Sequence, residues 1–519
     1  MKLNYKRTIL VGFAFFLISA FWQAYDATIP VILTNKFGMS QTWSGVIMAL
    51  DNILAVFLLP VFGTLSDKCN TKFGKRTPFI TFGTIVAAIA LVALTFVDSA
   101  QLKLINEVSA IDDPHALEIL YDTQSNKELL TPEGDSIMLS KLFTEEEFTA
   151  IRCKVTDPET GKTITNPDYT NFVAPARQNY ARELTAANHT NLILFVALLL
   201  VVLLAMATFR SPAVALMPDV TVKPLRSKAN AIINLMGTAG GILVLVLGMV
   251  FSTSAVQNAM MRYTVYYGVI ACIMITALVI FLSTVREKKW AAEMQSDSVK
   301  YGIEEEADNT ASGESRSLSA SEKRSLLLIL ASIALWYFGY NAVTSKYAVY
   351  AGNILDKDYN TTMLLAQAAA IVAYLPAGTV ASKFGRKKTI LGGVVMLASA
   401  FGCAAFMRAS SPTWMMNLMF ILAGVAWATI NVNSFPMVVE MCSGADIGKY
   451  TGFYYTASMS AQIATPMLSG FLMDRLGMTV LFPYAAVFVA LAFVTMSLTR
   501  HGDAKITPKK GLEALDIED

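Results

Sequence analysis

The sequence predicts an all-α membrane protein of twelve transmembrane helices in two pseudo-symmetric six-helix bundles, with a small extracytoplasmic insert between helices 3 and 4. Three observations predict it. The 519 residues are 54% hydrophobic and 15% charged, whereas a soluble domain carries about 25% charged residues. Twelve stretches approach the roughly 20 apolar residues that cross a hydrocarbon core. A charged loop that follows the second stretch returns after the eighth.

The twelve spans are 9–33, 43–66, 78–97, 191–216, 227–251, 263–285, 325–350, 362–381, 389–407, 414–438, 448–473 and 480–499. The first begins like a secretory signal, but its apolar run continues to Leu33, so it reads as an uncleaved helix. Lys/Arg bias in short loops orients the rest. One side holds Lys2, Lys6 and Arg7; Lys68, Lys72, Lys75 and Arg76; Lys223, Arg226 and Lys228; and Lys383, Arg386, Lys387 and Lys388. The opposite short loops offer mostly single basic residues. The expectation is a multi-pass protein of the plasma (inner) membrane with both termini cytoplasmic, acting as a monomer.

The charged loop divides the chain. GTVASKFGRKK, from Gly378 to Lys388, follows span 8 as the loop from Gly63 follows span 2. Trp22 matches Trp336 at an offset of 314, and Asp219 matches Glu440 at an offset of 221. The offset drops by about ninety, close to the length of a polar segment in the first half. Two repeats about an axis along the membrane normal follow. Residues 1–98 and 191–285 form the N-terminal bundle and 325–500 the C-terminal bundle. Between them lie the insert, 99–190, and a cytoplasmic linker, 286–324, with a tail at 501–519. Between positions 100 and 189 there are fifteen Asp/Glu against eight Lys/Arg. Thr144-Glu-Glu-Glu147 is a capping box, and 153–165 reads as a hairpin around a Pro/Gly turn. The insert is therefore expected to be a small α/β cap. The linker, rich in Glu, Ser, Lys and Ala, is expected to be mostly disordered.

Several function classes are excluded. A formal net charge of +2 supplies no global basic field for nucleic acid. The five cysteines are scattered, with no CxxC pair or His/Cys cluster, so neither a metal site nor a disulfide framework is expected. No nucleotide-binding motif is present, and the three histidines build no catalytic constellation. An enzyme is not expected, nor any cofactor beyond a coupling ion.

Pro60-x-x-Gly63-x-x-Ser66-Asp67, then Gly74-Lys75-Arg76-x-Pro78-Phe79, resembles the loop after helix 2 in the major facilitator superfamily. In this longer form it is similar to the glycoside–pentoside–hexuronide:cation symporters and the sucrose–proton symporters. Arg210-Ser-Pro212-x-x-Ala215-Leu216-x-x-Asp219 and Arg226-x-x-Ala229-Asn230 resemble their helix 4–5 junction. The resemblance implies a secondary transporter. It implies a gating latch made of Gly63, Asp67, Gly74, Lys75, Arg76, Asp219, Arg226 and Glu440, with Asp67 near the start of span 11 around Gly448. A carboxylate there favours the positive end of a helix dipole. In the second copy Ser382 replaces Asp67, so that latch should be weaker. Melibiose-type sodium symporters carry acidic residues where this chain has Ala55 and Leu59, which favours protons over sodium.

Ionisable residues inside the membrane are costly and mark function. Asp26 in span 1 and Asp51 in span 2 lie at similar depth. Two acids sharing a low-dielectric site can carry one proton between them. Asp51 is the favoured carrier, because Asn52 beside it can hydrogen-bond either form. Lys346 near the outer end of span 7 either pairs with Asp26 or snorkels to the surface. Sugar sites need aromatic faces for CH groups, and amides or carboxylates for hydroxyls. Trp22, Gln23, Trp336, Tyr340, Asn341, Trp427 and Asn431 supply these on spans 1, 7 and 10, which line the central cavity in the superfamily. Asn52, Asn230 and Asn234 add amides. Span 4 is almost purely aliphatic until Arg210 and offers little. The expected function is a proton-coupled symporter of a sugar, glycoside or small oligosaccharide, with that solute and the lipid bilayer as partners. The rivals are a proton-antiport exporter of an amphipathic solute and a sensor that uses the insert. Asn188-His-Thr190 and Asn360-Thr-Thr362 match glycosylation sequons.

Overall fold

Backbone polar groups in a bilayer must be satisfied within the segment, so apolar stretches become helices. The computed structural model describes residues 3–156, 163–222, 225–300, 318–439, 441 and 447–501. Twelve long helices run through it: α1 (Tyr5–Asn35), α2 (Gln41–Lys68), α3 (Thr77–Leu104), α4 (Thr190–Val220), α5 (Arg226–Phe251), α6 (Thr264–Thr284), α7 (Ala320–Tyr350), α8 (Tyr359–Phe384), α9 (Arg386–Ala404), α10 (Thr413–Val439), α11 (Ile447–Leu476) and α12 (Leu481–Ser497). Ten of these segments are long and apolar enough to cross a membrane among the described residues. The exceptions, α8 and α11, turn polar side chains to the other half: Asn360 and Gln367 on α8 and Asp474 on α11 all bond across it. Large apolar side chains such as Phe82, Ile89, Phe96 and Val372 stay exposed, as a lipid solvent requires. The protein is an integral membrane protein.

Side chains set the helix ends. Asn4, Ser40 and Asp358 accept hydrogen bonds from backbone N–H groups at the starts of α1, α2 and α8. Ser319 and Glu322 form a capping box at α7. Packing partners repeat at i and i+6: α1 lies on α5 and α6 as α7 lies on α11 and α12, and α3 on α4 as α9 on α10. Each half has its own hydrophobic core. The halves meet through α2 against α11, α5 against α8, and α1 against α7.

The insert folds on a third core that includes Leu117, Phe148, Cys153 and Tyr169, with Met260 from the α5–α6 loop. It contains helices Pro114–Gln124, Glu145–Thr149 and Ala174–Ala187 and two short antiparallel hairpins. The Thr144–Glu147 capping box is formed. Lys154–Thr156 pairs with Thr163–Thr165. Cys153 is a free thiol that burial pushes up to about 11.

The disordered linker fails in its first part. Glu287–Lys300 is a helix, and Trp290 and Met294, one turn apart, are buried against the N-terminal half. Arg7 pairs with Glu293 and stacks over Trp290 at 5.1 Å. Positions 301–317 and 502–519 lie outside the described residues.

Candidate functional site

Glycines on α5 let α1 approach it closely; a Cβ on Gly240 would overlap the Phe16 carbonyl. Beside this contact the halves enclose a cavity of about 830 Å³, within the size range of small-molecule sites. α1 contributes Ser19, Trp22, Gln23 and Asp26, and α5 contributes Asn234. From the other half come Tyr340 and Thr344 on α7, Gln367 and Tyr374 on α8, and Trp427 and Asn431 on α10.

Two aromatic walls face each other. Trp22 packs edge-on to Phe21 and Tyr25, with centroids at 5.0 and 5.4 Å. Opposite, Tyr340 stacks flat on Trp427 at 3.7 Å and 6°, with Tyr337 edge-on at 5.2 Å. Amides tie the halves at one end: Gln367 Nε2 donates to Gln23 Oε1 at 2.6 Å, and Gln23 Nε2 to the Tyr359 hydroxyl at 3.3 Å. The Arg210 guanidinium lies over the Trp22 ring at 5.8 Å. Asp51 is close enough to Asp26 and Arg210 for their charges to interact, and it accepts from Asn52 Nδ2 at 2.8 Å. The cavity thus offers apolar faces, amide and hydroxyl bonding groups, and charges in a low dielectric.

Six of the ten expected substrate residues line it: Trp22, Gln23, Tyr340, Trp427, Asn431 and Asn234. The other four do not. Trp336 is buried in the C-terminal core, so its likeness to Trp22 does not extend to its role. Asn52 turns its amide to Asp51. Asn230 is buried and accepts from Asn234 at 3.4 Å. Asn341 lies beside Tyr340 but outside the lining. Sequence reasoning missed Gln367 and Tyr374 on α8, and Tyr359, which bonds Gln23 from outside the lining, and it set aside span 4, whose Arg210 enters the cavity. Their signal was a polar or charged side chain within an otherwise apolar run.

Lys346 neither pairs with Asp26 nor reaches solvent. It is fully buried and donates to the Gln41 carbonyl, near the charge of Asp474. This belongs to a seal on the face that carries the insert. Asp474, at the end of α11, accepts from Gln41 N at 2.8 Å, from Thr42 N at 2.7 Å, and from the Thr42 hydroxyl. It therefore caps the start of α2 from the other half. A Cβ on Gly470 would overlap the Gln41 carbonyl, and one on Gly45 the Pro466 carbonyl. Asn360, the second sequon, is fully buried here and donates to Thr253 Oγ1 at 3.2 Å, while Asn188 is exposed.

Asp358 joins the seal by accepting from Ser254. Burial pushes its carboxyl up, but hydrogen bonds from Ser254, Thr361 and Asn360 outweigh this and hold it below the usual carboxylate range. A carboxyl lowered in the fold stabilises above its unfolded value and loses that contribution only as pH falls through its folded value. The stability gap between the protein and its Asp358→Asn variant should therefore stay constant from pH 7 to 5. It should narrow only below about pH 4, as read by thermal unfolding in detergent.

On the opposite face the charged loop is drawn together within the N-terminal half. Arg76 pairs with Asp67 at 2.5 Å and with Asp219 at 2.7 Å, and it also bonds Ser66. Glu287, which sequence reasoning missed, accepts from the backbone N–H groups of Lys75, Arg76 and Thr77 at 2.6, 2.8 and 2.8 Å. Gly74 has φ +123°, and a Cβ there would overlap the Glu287 carboxyl. Gly63 faces Ser211 on α4. The Arg226 side chain, Gly448 beyond its helical backbone, and Glu440 lie outside the described residues. Glu287→Ala should cost about 2 kcal/mol, because it strips one acceptor from three backbone donors. An unchanged melting temperature would show that water replaces the carboxylate.

The Major Facilitator Superfamily model matches residues 183–373 and 356–515, and a model described as MFS/sugar transport protein matches 10–105. The chain is 28% identical over 141 residues to the MFS-type transporter ppzB of Metarhizium rileyi, covering 27% of this chain and 29% of that protein. It is 30% identical over 74 residues to the sucrose transport protein SUC4 of Arabidopsis thaliana, 14% of each. The matched regions span under a third of these curated relatives. The fold is similar to the xylose transporter XylE from E. coli in an inward-open conformation, at TM-score 0.56 and 13% identity over 99% of both chains. At that identity the likeness is one of fold.

Proposed function

The chain belongs to the Major Facilitator Superfamily, and from that membership we propose that it is a proton-coupled symporter of a sugar, glycoside or small oligosaccharide, working by alternating access. The observation that carries this reading is the cavity between the halves, with aromatic walls on both sides and two acids beside it. Trp22 and the Tyr340–Trp427 stack offer faces to the CH side of a pyranose. Gln23, Asn234, Gln367 and Asn431 offer donors and acceptors to its hydroxyls. The sucrose transport relatives and the sugar-transport family model support the substrate class.

Coupling is assigned to the acids. Asp26 faces the cavity while Asp51 stands behind it, between Asp26 and Arg210 in charge interaction. A proton on Asp51 leaves Arg210 without its counter-charge, and a bound solute can compensate. Release of the proton restores the attraction. Ala55 and Leu59 occupy the places where sodium symporters of this resemblance carry acids. The termini are assigned to the cytoplasm and the insert to the outside of the plasma (inner) membrane, which makes the sealed insert face the outer one.

Counterflow of radiolabelled sucrose, melibiose and xylose in proteoliposomes tests the reading. Exchange of at least one, accelerated by an inward proton gradient, is the expected result. Exchange of amphipathic cations with no sugar exchange would replace it with export. Trp427→Ala removes the stack and should raise the half-saturating sugar concentration three- to tenfold, the equivalent of about 0.5–1.5 kcal/mol. An unaltered saturation curve would remove the stack from the binding site.

A further inference from the structure

We propose that the insert is a strap, carried by the N-terminal half and fastened to the C-terminal half only while the insert face is shut. It thereby biases the equilibrium between the two access states. This rests on the alternating-access reading above.

The two attachments differ in kind. Toward the N-terminal half the insert is continuous with α3 and α4 and deeply anchored. Gln101 Nε2 donates to the Lys36 carbonyl and to Thr185 Oγ1, both at 3.0 Å. Gln178 Nε2 donates to Asn35 Oδ1 at 2.9 Å. Gly38, at φ +64°, lies so close to the Gln178–Arg182 backbone that a Cβ would overlap it. Met260 of that half enters the insert's own core. An attachment of buried apolar and amide contacts moves as one body.

Toward the C-terminal half the contacts among the described residues are backbone and polar ones at the rim. Asp356 accepts from Thr165 N at 3.1 Å and from the Thr165 hydroxyl. Met478 N donates to the Pro132 carbonyl at 2.7 Å. Beside it Gly134 and Gly477, at φ +98° and +85°, meet backbone to backbone. Asp356 itself has φ +49° and follows a π-helical turn, Ala351–Leu355. Irregular backbone of this kind on a non-glycine residue is kept where the surroundings require it. It aims the carboxylate at the hairpin that Lys154–Thr156 and Thr163–Thr165 form.

Any separation of the halves on this face must break the second set while leaving the first intact. Hydrogen bonds to a charged group are stronger than neutral ones, so loss of the Asp356 pair shifts the equilibrium about tenfold or more toward the open insert face.

The test uses the full chain with Cys69, Cys153, Cys272, Cys403 and Cys442 replaced, and a Thr344→Cys reporter in the cavity. A membrane-impermeant maleimide is added from the insert side. Thr165→Cys with Asp356→Cys, oxidised to a disulfide, is expected to abolish reporter labelling from that side, and reduction to restore it. A control disulfide between Asn35→Cys and Gln178→Cys should leave labelling unchanged. Asp356→Gly, which removes the acceptor and suits the positive φ, should raise the labelling rate about tenfold without any cross-link, and it carries the test if the double-cysteine protein misfolds. Labelling in the oxidised Thr165–Asp356 pair as fast as after reduction, or no effect of Asp356→Gly, overturns the strap alone. Labelling from the opposite side only, in every variant, overturns alternating access and the strap with it.

Discussion

Asp51→Asn is expected to abolish accumulation of sugar against its gradient while leaving sugar exchange intact. One elementary charge moved through 100 mV supplies about 2.3 kcal/mol. At 1.4 kcal/mol per tenfold, that sustains a concentration ratio of roughly fifty. An asparagine keeps the shape and the contact with Asn52 but carries no proton, so the ratio should fall to one. Exchange needs only the loaded protein to reorient, and it should persist. The measurement is the steady-state ratio of labelled sugar across proteoliposomes with an imposed proton gradient, beside counterflow in the same preparation. An unchanged ratio would take coupling away from Asp51. Asp26→Asn gives the contrast. Asp26 lines the cavity, so its loss should raise the half-saturating concentration as well.

Asp474→Ala is expected to open the insert face. The carboxylate caps Gln41 and Thr42 at the start of α2 and lies in charge interaction with the buried Lys346 ammonium. Its removal leaves two helix-end donors without their acceptor and takes the nearby opposite charge from Lys346, which keeps its bond to the Gln41 carbonyl. Two backbone hydrogen bonds to a charged acceptor contribute about 1.5–3 kcal/mol each, and only the sealed state has them to lose. The equilibrium should move by at least a hundredfold, read as maleimide labelling of Thr344→Cys from the insert side. Asp474→Asn keeps the packing and should give a smaller shift in the same direction. Labelling no faster than in the parent would mean that apolar packing alone holds the seal. The resemblance implies a carboxylate at the end of span 2, Asp67, set against the start of span 11. In this structure the same geometry occurs in mirror sense, with the acid at the end of α11 capping α2, on the other face.

Much of the architecture was legible because the bilayer restricts the choices. An apolar run of sufficient length has to be a helix, and Gly74-Lys75-Arg76 has to be a loop. In the insert the Thr144–Glu147 box and the 153–165 hairpin were read from local chemistry that needs no distant partner. The linker helix was missed because its residues are polar overall. Its signal was the pair Trp290 and Met294 at a spacing of one turn.

The candidate site was half legible for a related reason. Trp22 and Trp336 occupy equivalent places in the two repeats, yet one lines the cavity and the other fills a core. On a helix that is apolar all round, periodicity does not say which face looks inward. The missed contributors of α8 show the same limit, since the direction of Gln367 becomes visible only when Gln23 meets it from the other half.

The sequence by itself determined that this chain lives in a membrane, that it repeats after six helices with one insert, and that acids and aromatic residues sit at membrane depth. Composition and spacing encode these, because the cost of exposing backbone or charge to lipid acts on each segment separately. The tertiary structure alone decided which of those residues share the cavity, that Lys346 and Asp474 seal one face, that Glu287 holds the loop before α3, and that the insert reaches both halves. Those are relations between segments far apart in the chain. They are set by the packing of whole helices, which no single segment carries.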